Sequence, residues 1–130
     1  MIENANQLIE VYGYWPEFHD AEIISINVSR SLGKSLSSKI SIELYYAEAK
    51  TVNEGTAEFA TVKDKETITT FEFDQIDDLK LAGFNHQNVI DSLVIESKND
   101  GFSVVFEPCY GASLGFACHL AKVSGVRIYA

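Results

Sequence analysis

From Glu22 to Arg30 the chain alternates apolar and polar residues, with Ile24, Ile26 and Val28 set against Ser25, Asn27 and Ser29. A period of two buries one face of a strand and wets the other. Ile40, Ile42, Leu44 and Tyr46 repeat the pattern after the serine-rich stretch Ser31 to Ser38, which contains Gly33, so the two runs predict an antiparallel hairpin. Thr67, Thr69, Phe71 and Phe73 alternate with Ile68, Thr70, Glu72 and Asp74, a run rich in the β-branched and aromatic residues that fit a pleated surface. Between these strands Glu48 to Glu58 is small and polar and carries Gly55, which reads as a loop or an irregular edge.

Further along, Gln75 to Asp78 predicts a polar turn, and Leu79 and Leu81 a brief strand. Gly83-Phe84-Asn85 interrupts it, and Asn88 is placed to bond its own backbone at a tight corner. Ile90 to Ser97 and Phe102 to Glu107 flank Asn99-Asp100-Gly101, a hairpin signal because Asp-Gly readily takes the positive φ of a two-residue turn. A glycine-rich link from Tyr110 to Gly115 leads to a strand at Phe116 to Lys122, and Gly125 sets off a last extended piece, Val126 to Tyr129. Helical spacing occurs at the start, where Leu8, Ile9 and Tyr12 would pack on the sheet behind a cap at Asn4 or Asn6. Gly13 and Pro16 end that helix. The expected fold is therefore mainly β (α+β): an antiparallel sheet of about six to eight strands with one short N-terminal helix, in a single domain over residues 1–130.

The run Tyr14-Trp15-Pro16-Glu17-Phe18-His19-Asp20-Ala21-Glu22-Ile23 holds the chain's single tryptophan and one of its two prolines just before the first strand. Pro16 fixes its own φ and biases Trp15 toward extended geometry, which stops the helix and turns the chain into the sheet. Trp15 and Phe18 can anchor that turn, and His19 and Asp20 can tie backbone groups. This run, with Leu81-Ala82-Gly83-Phe84-Asn85-His86-Gln87-Asn88-Val89-Ile90 downstream, resembles the bacterial immunity protein 50 family of polymorphic toxin systems, from about Leu8 to Ile128. The resemblance implies a small cytoplasmic antidote that binds and neutralises a cognate toxin, with no catalytic residues and no cofactor. Read from their own chemistry, Trp15, Pro16, Phe18, His19, Asp20, Gly83, Asn85 and Asn88 are expected to form a structural motif, and the resemblance does not identify the toxin.

Composition narrows the partners. A 46% hydrophobic and 22% charged chain of 130 residues is ordinary for a globular protein with its own core. Nineteen acids against ten bases give a net charge of −9, so a phosphate backbone would repel it and nucleic acid is not an expected partner. The apolar runs are too short to span a bilayer, and Met1-Ile2-Glu3-Asn4 has no basic and apolar leader, so a cytoplasmic protein with no membrane contact is expected. Exposed edge strands would also allow a homodimer.

Candidate chemistry is sparse. Cys109 and Cys118 can face each other across a hairpin or pack separately as small hydrophobes, and no second ligand pair supports a metal site. His119, next to Cys118, should point to the opposite face. His19 and Asp20 invite an enzymatic or ligand-binding alternative, with Trp15 and possibly His119 lining its pocket. Adjacent residues on an extended segment diverge, which argues against a His19–Asp20 dyad. Gly111-Ala112-Ser113-Leu114-Gly115 spells the Gly-x-Ser-x-Gly order of a nucleophile elbow, but it is expected to be a flexible link before a strand. The surface reading is better founded: Glu43 and Tyr45 share the wet face of their strand, Glu72, Asp74, Asp77 and Asp78 concentrate charge at a strand end, and Glu48, Glu54 and Glu58 line the loop. Of these, Glu43, Tyr45, Glu48, Glu72, Asp74, Asp77 and Asp78 form the expected partner-binding set.

Overall fold

The computed structural model describes residues 2–33 and 37–129. In chain order the elements are α1 (Asn6–Tyr12), β1 (Glu22–Arg30), β2 (Ser38–Val52), β3 (Ala60–Asp74), β4 (Asp77–Ala82), β5 (Val89–Lys98), β6 (Gly101–Tyr110), β7 (Ser113–Cys118) and β8 (Leu120–Ile128). The eight strands form one antiparallel sheet in the order β4-β7-β6-β5-β1-β2-β3-β8. The fold is mostly β with a single short helix among the described residues.

The sheet is narrow at its middle. β1 and β5 share the register pair Glu22–Val89, extended by backbone bonds from Ile23 N–H to Asn88 O at 2.8 Å, Asp20 N–H to Ile90 O at 3.0 Å and Ile90 N–H to Ala21 O at 2.9 Å. On either side lie four-stranded halves whose apolar faces meet, since the ring of Phe73 on β3 lies 5.0 Å from that of Phe116 on β7. Ile40, Ile42, Leu44, Phe71 and Phe73 from one half and Ile90, Val104, Phe106 and Leu114 from the other are buried in one continuous cluster. Each such side chain contributes roughly 1.5–3 kcal/mol relative to exposure.

Helix α1 covers the cluster with Leu8 and Tyr12, one turn apart, and with Val11 partly buried beside them. Ile9, expected on this face, is 42% exposed. In a seven-residue helix only one stripe reaches the sheet, and Leu8, Val11 and Tyr12 follow its i, i+3, i+4 spacing. Neither Asn4 nor Asn6 caps the helix. Ala5 holds the N-cap position without a side-chain bond, while Gly13, left-handed at φ 83°, donates its N–H to Ile9 O. The Tyr12 hydroxyl reaches the Lys65 carbonyl at 2.7 Å and the Thr67 hydroxyl at 2.6 Å, fixing the helix to β3.

Bulges and bends move several expected positions. The register passes from Ile23–Leu44 to Ser25–Glu43, so Ile24 is the extra residue of a bulge. Ile23 takes the buried place and Ile24 is turned outward, 47% exposed. Glu48 to Val52, expected to be loop, continues β2 and pairs with Ala60 to Asp64 beyond a second bulge, on β3, where Lys65 and Glu66 oppose Ala47. This two-stranded ribbon runs past the core, and residues 53–59 close its tip with Phe59 58% exposed. Asp77 and Asp78, placed in a turn by the sequence, begin β4. At the β5–β6 hairpin Lys98 pairs with Gly101, leaving Asn99 and Asp100 as the turn with Asn99 left-handed. Gly101 is needed for close approach, because a Cβ there would lie 2.1 Å from the Cys118 carbonyl oxygen. The expected strand Phe116 to Lys122 is broken at His119, where the chain leaves β7 in one half and enters β8 in the other. Gly125 lies within β8, paired with Thr70 beside a bulge. Cys109 is exposed and Cys118 buried, the latter opposite Phe102, so the thiols do not face each other. The loop expected at Ser31 to Ser38 lies partly outside the described residues, and its neck is closed by Ser31 N–H to Ser37 O at 2.8 Å.

The two distinctive sequence runs meet at the narrow joint. Phe18 is fully buried, with its ring 5.9 Å from Trp15, 5.2 Å from Tyr46 and 5.8 Å from Phe71. Phe18 and Asp20 are left-handed, at φ 60° and 66°, in a turn closed by Ala21 N–H to Phe18 O. A bulky residue rarely adopts that conformation, so tertiary packing of the ring offsets the local strain. Across the joint Asn88 is 3% exposed. Its Oδ1 accepts from Asn85 N–H and Ala112 N–H, and its Nδ2 donates to Asn85 O. The bond to a residue two further on in the chain belongs instead to Asn85, whose Oδ1 accepts from Gln87 N–H at 2.9 Å. Asn85 Nδ2 also donates to the carbonyl of Gly83, itself left-handed at φ 75°.

Candidate partner-binding face

Strand alternation gives β1, β2, β3 and β8 an outer face opposite the core. One row across it is Glu22, Tyr45, Ile68 and Arg127, and the next is Ser25, Glu43, Thr70 and Gly125. Tyr45 is the centre of a recess of about 390 Å³ lined by Glu22, Ile24, Tyr45, Lys63, Glu66, Ile68 and Tyr129. Its hydroxyl donates to Glu66 Oε1 at 2.5 Å. The Tyr129 ring stands nearly perpendicular to it at 5.6 Å, and Lys63 Nζ lies 5.3 Å from the centre of the Tyr45 ring. Partial burial and then the Glu66 carboxylate push the Tyr45 phenol above its ordinary pKa, and the Tyr45 hydroxyl raises that of Lys63.

The expected acidic residues divide into groups. Glu43 accepts from the Ser25 hydroxyl at 2.7 Å and lies 3.9 Å from Arg127. Glu72 is flanked by Lys39 at 3.4 Å and Lys122 at 3.3 Å, so its charge is locally offset. Asp74 follows on the same outer face of β3, with its carbonyl accepting from His119 N–H at 3.1 Å. Glu48 stands at the foot of the ribbon, where it accepts from Tyr14 and faces Lys65 at 3.8 Å. Asp77 and Asp78 lie on β4, an exposed edge strand in the other half. The structure therefore gathers Glu43, Tyr45, Glu72 and Asp74 on one face and sets Glu48, Asp77 and Asp78 apart from it.

Sequence reading did not find Ile24, Lys63, Glu66, Ile68 or Tyr129. The visible signal was Ile68, an isoleucine on the wet side of a strand whose neighbours on that side are polar. Ile24 becomes part of the recess through a bulge that alternation alone does not reveal, and Lys63 through ribbon pairing.

The histidines are separated. His19 Nδ1 is 3.0 Å from the Asp91 carbonyl oxygen and 3.4 Å from its Oδ1, while Nε2 is 3.6 Å from Asp20 Oδ2. The expectation that His19 and Asp20 diverge fails because the segment is a tight turn with left-handed Phe18 and Asp20. The Asp91 carbonyl, then the Asp20 carboxylate, raise the imidazole pKa. His19 borders a recess with Trp15 and Leu93, whereas His119 borders another with Asp77 and Lys98. Among the described residues no three His, Cys, Asp or Glu side chains assemble as a metal-binding group. No helix among them is long and apolar enough to cross a membrane.

These features define a small antiparallel β domain with mixed aromatic and charged side chains on the outer face of one half-sheet. The chain belongs to the immunity protein 50 family, whose family model matches residues 4–129. That membership indicates an immunity protein, a class that binds a partner protein such as a toxin and not a class of enzymes. No curated protein and no solved structure matches the chain.

Proposed function

We propose that this protein is a cytoplasmic immunity protein that binds a cognate toxin of a polymorphic toxin system and neutralises it by steric and electrostatic occlusion, without turnover. The observation that carries this reading is the family match over residues 4–129. The net charge of −9 supports it, because a toxin acting on nucleic acid needs a basic groove that an acidic antidote can be steered into and occupy. Glu43, Tyr45, Glu48, Glu72, Asp74, Asp77 and Asp78 are the proposed contact residues.

The test is coexpression with the toxin encoded beside it, followed by binding measurements across salt concentrations. Growth should be restored. Charge reversal at Asp74, Asp77 and Asp78, with Glu72→Gln because Lys39 and Lys122 flank that position, should weaken binding most at low salt, where screening is least. Toxicity undiminished by coexpression would overturn the function. Protection and affinity unchanged in the charge variant at every salt concentration would remove the acidic residues from the interface.

A further inference from the structure

The recess at Tyr45 already holds a cation of the protein's own. Lys63 Nζ lies over the Tyr45 ring at 5.3 Å, the geometry in which an ammonium is attracted to an aromatic face. Lys63 is an exposed residue at the foot of the ribbon. Two carboxylates belong to the same recess, Glu22 and Glu66. Among the described residues neither is in an ion pair, unlike Glu43, Glu48 and Glu72. Two tyrosine rings at an interplanar angle of 79° form adjoining walls. The site thus sets two carboxylates and two tyrosine rings around one exposed ammonium. The recess that they line is about 390 Å³.

A planar guanidinium suits these surroundings better than an ammonium, because it stacks on a ring while its N–H groups fork to a carboxylate. We propose that the recess is an arginine-accepting pocket, in which a guanidinium of the partner protein displaces Lys63 from the face of Tyr45 and is held by Glu22 and Glu66. The identity of the donor as a toxin rests on the function proposed above, while the pocket's preference for a guanidinium does not.

The experiment titrates the intact protein with N-acetyl-arginine amide and, as the uncharged control, N-acetyl-norleucine amide, following the ring resonances of Tyr45 and Tyr129. The arginine probe should shift both rings and the control neither. Lys63→Met, which removes the resident cation, should tighten the probe several-fold. Glu66→Gln and Tyr45→Leu should each weaken it at least several-fold, with core resonances checking that the fold is intact. Absence of ring shifts in both the wild type and Lys63→Met, or equal shifts with both probes, would overturn the pocket. With the adjacent toxin, Tyr45→Leu should raise Kd at least tenfold. Wild-type affinity in that variant would refute the toxin arginine while leaving the immunity function standing. Failure of the wild type to bind any toxin would refute that function, and the probe titration would still decide whether the pocket takes a guanidinium.

Discussion

Phe73 and Phe116 meet edge to face at 5.0 Å although β3 and β7 stand near opposite ends of the hydrogen-bonded strand order. The sheet is pinned through its core as well as along its narrow joint. Phe116→Ala should therefore cost about 3–5 kcal/mol, the usual loss for a buried phenylalanine. Urea denaturation measures it, and a loss below about 1 kcal/mol would mean that the two halves do not depend on this contact.

Asn88 ties the joint from inside. Replacing it by Ala leaves Asn85 N–H, Ala112 N–H and Asn85 O without their partner. The expected destabilisation is about 2–4 kcal/mol, since unsatisfied buried groups cost about 1–3 kcal/mol each and partial access to water relieves some of it. Hydrogen exchange at Ala112 and Asn85 should accelerate more than exchange in β3.

The Thr69 hydroxyl is the opposite case, buried without a hydrogen-bond partner among the described residues. Thr69→Val keeps the branched shape that suits β3 and removes the orphaned hydroxyl. Stability should rise by about 1 kcal/mol. A loss of stability on thermal or urea unfolding would show that the hydroxyl has a partner after all.

Burial raises the Tyr12 phenol from 10.0 to about 12, against a smaller opposing effect of the Thr67 hydrogen bond. Above pH 10 the unfolded chain releases this proton while the folded chain keeps it, so the unfolded state binds fewer protons and stability falls as pH rises. The contribution is complete below pH 10 and disappears between pH 10 and about 12. Tyr12→Phe should flatten this part of the stability profile, and tyrosine absorbance should show one fewer late-ionising group.

For His19 the raised pKa means that its contribution is present below the ordinary value near 6.5 and fades as pH rises through the higher folded value. The imidazole resonances should titrate above 6.5. Asp20→Asn should lower the midpoint only part of the way, because the Asp91 carbonyl is the larger cause. His19→Ala should retain full protection against the toxin. Loss of protection in a folded variant would favour a chemical role.

Legibility followed burial. β3 is plain in the sequence because Thr67, Thr69, Phe71 and Phe73 all face the core while Thr70, Glu72 and Asp74 face outward. The ribbon is not, because Lys50, Thr51 and Val62 pair without a buried side, and a strand that buries neither face has no apolar rhythm to read. The bulge at Ile24 shifts the phase of β1 by one residue, which turns an apparently buried isoleucine outward. At the recess, Tyr45 was visible as an aromatic on a polar face. Its neighbours Tyr129 and Lys63 were not, because β8 and the ribbon bring them there through long-range pairing that local pattern does not encode.

The ribbon beyond Glu48 adds nothing to the buried cluster, and its tip carries an exposed Phe59 between acidic and small residues. Natural selection can therefore rewrite or lengthen this projection without threatening the scaffold beneath it. Two relatives with the same core could differ completely there, which would let a single architecture diversify its recognition quickly.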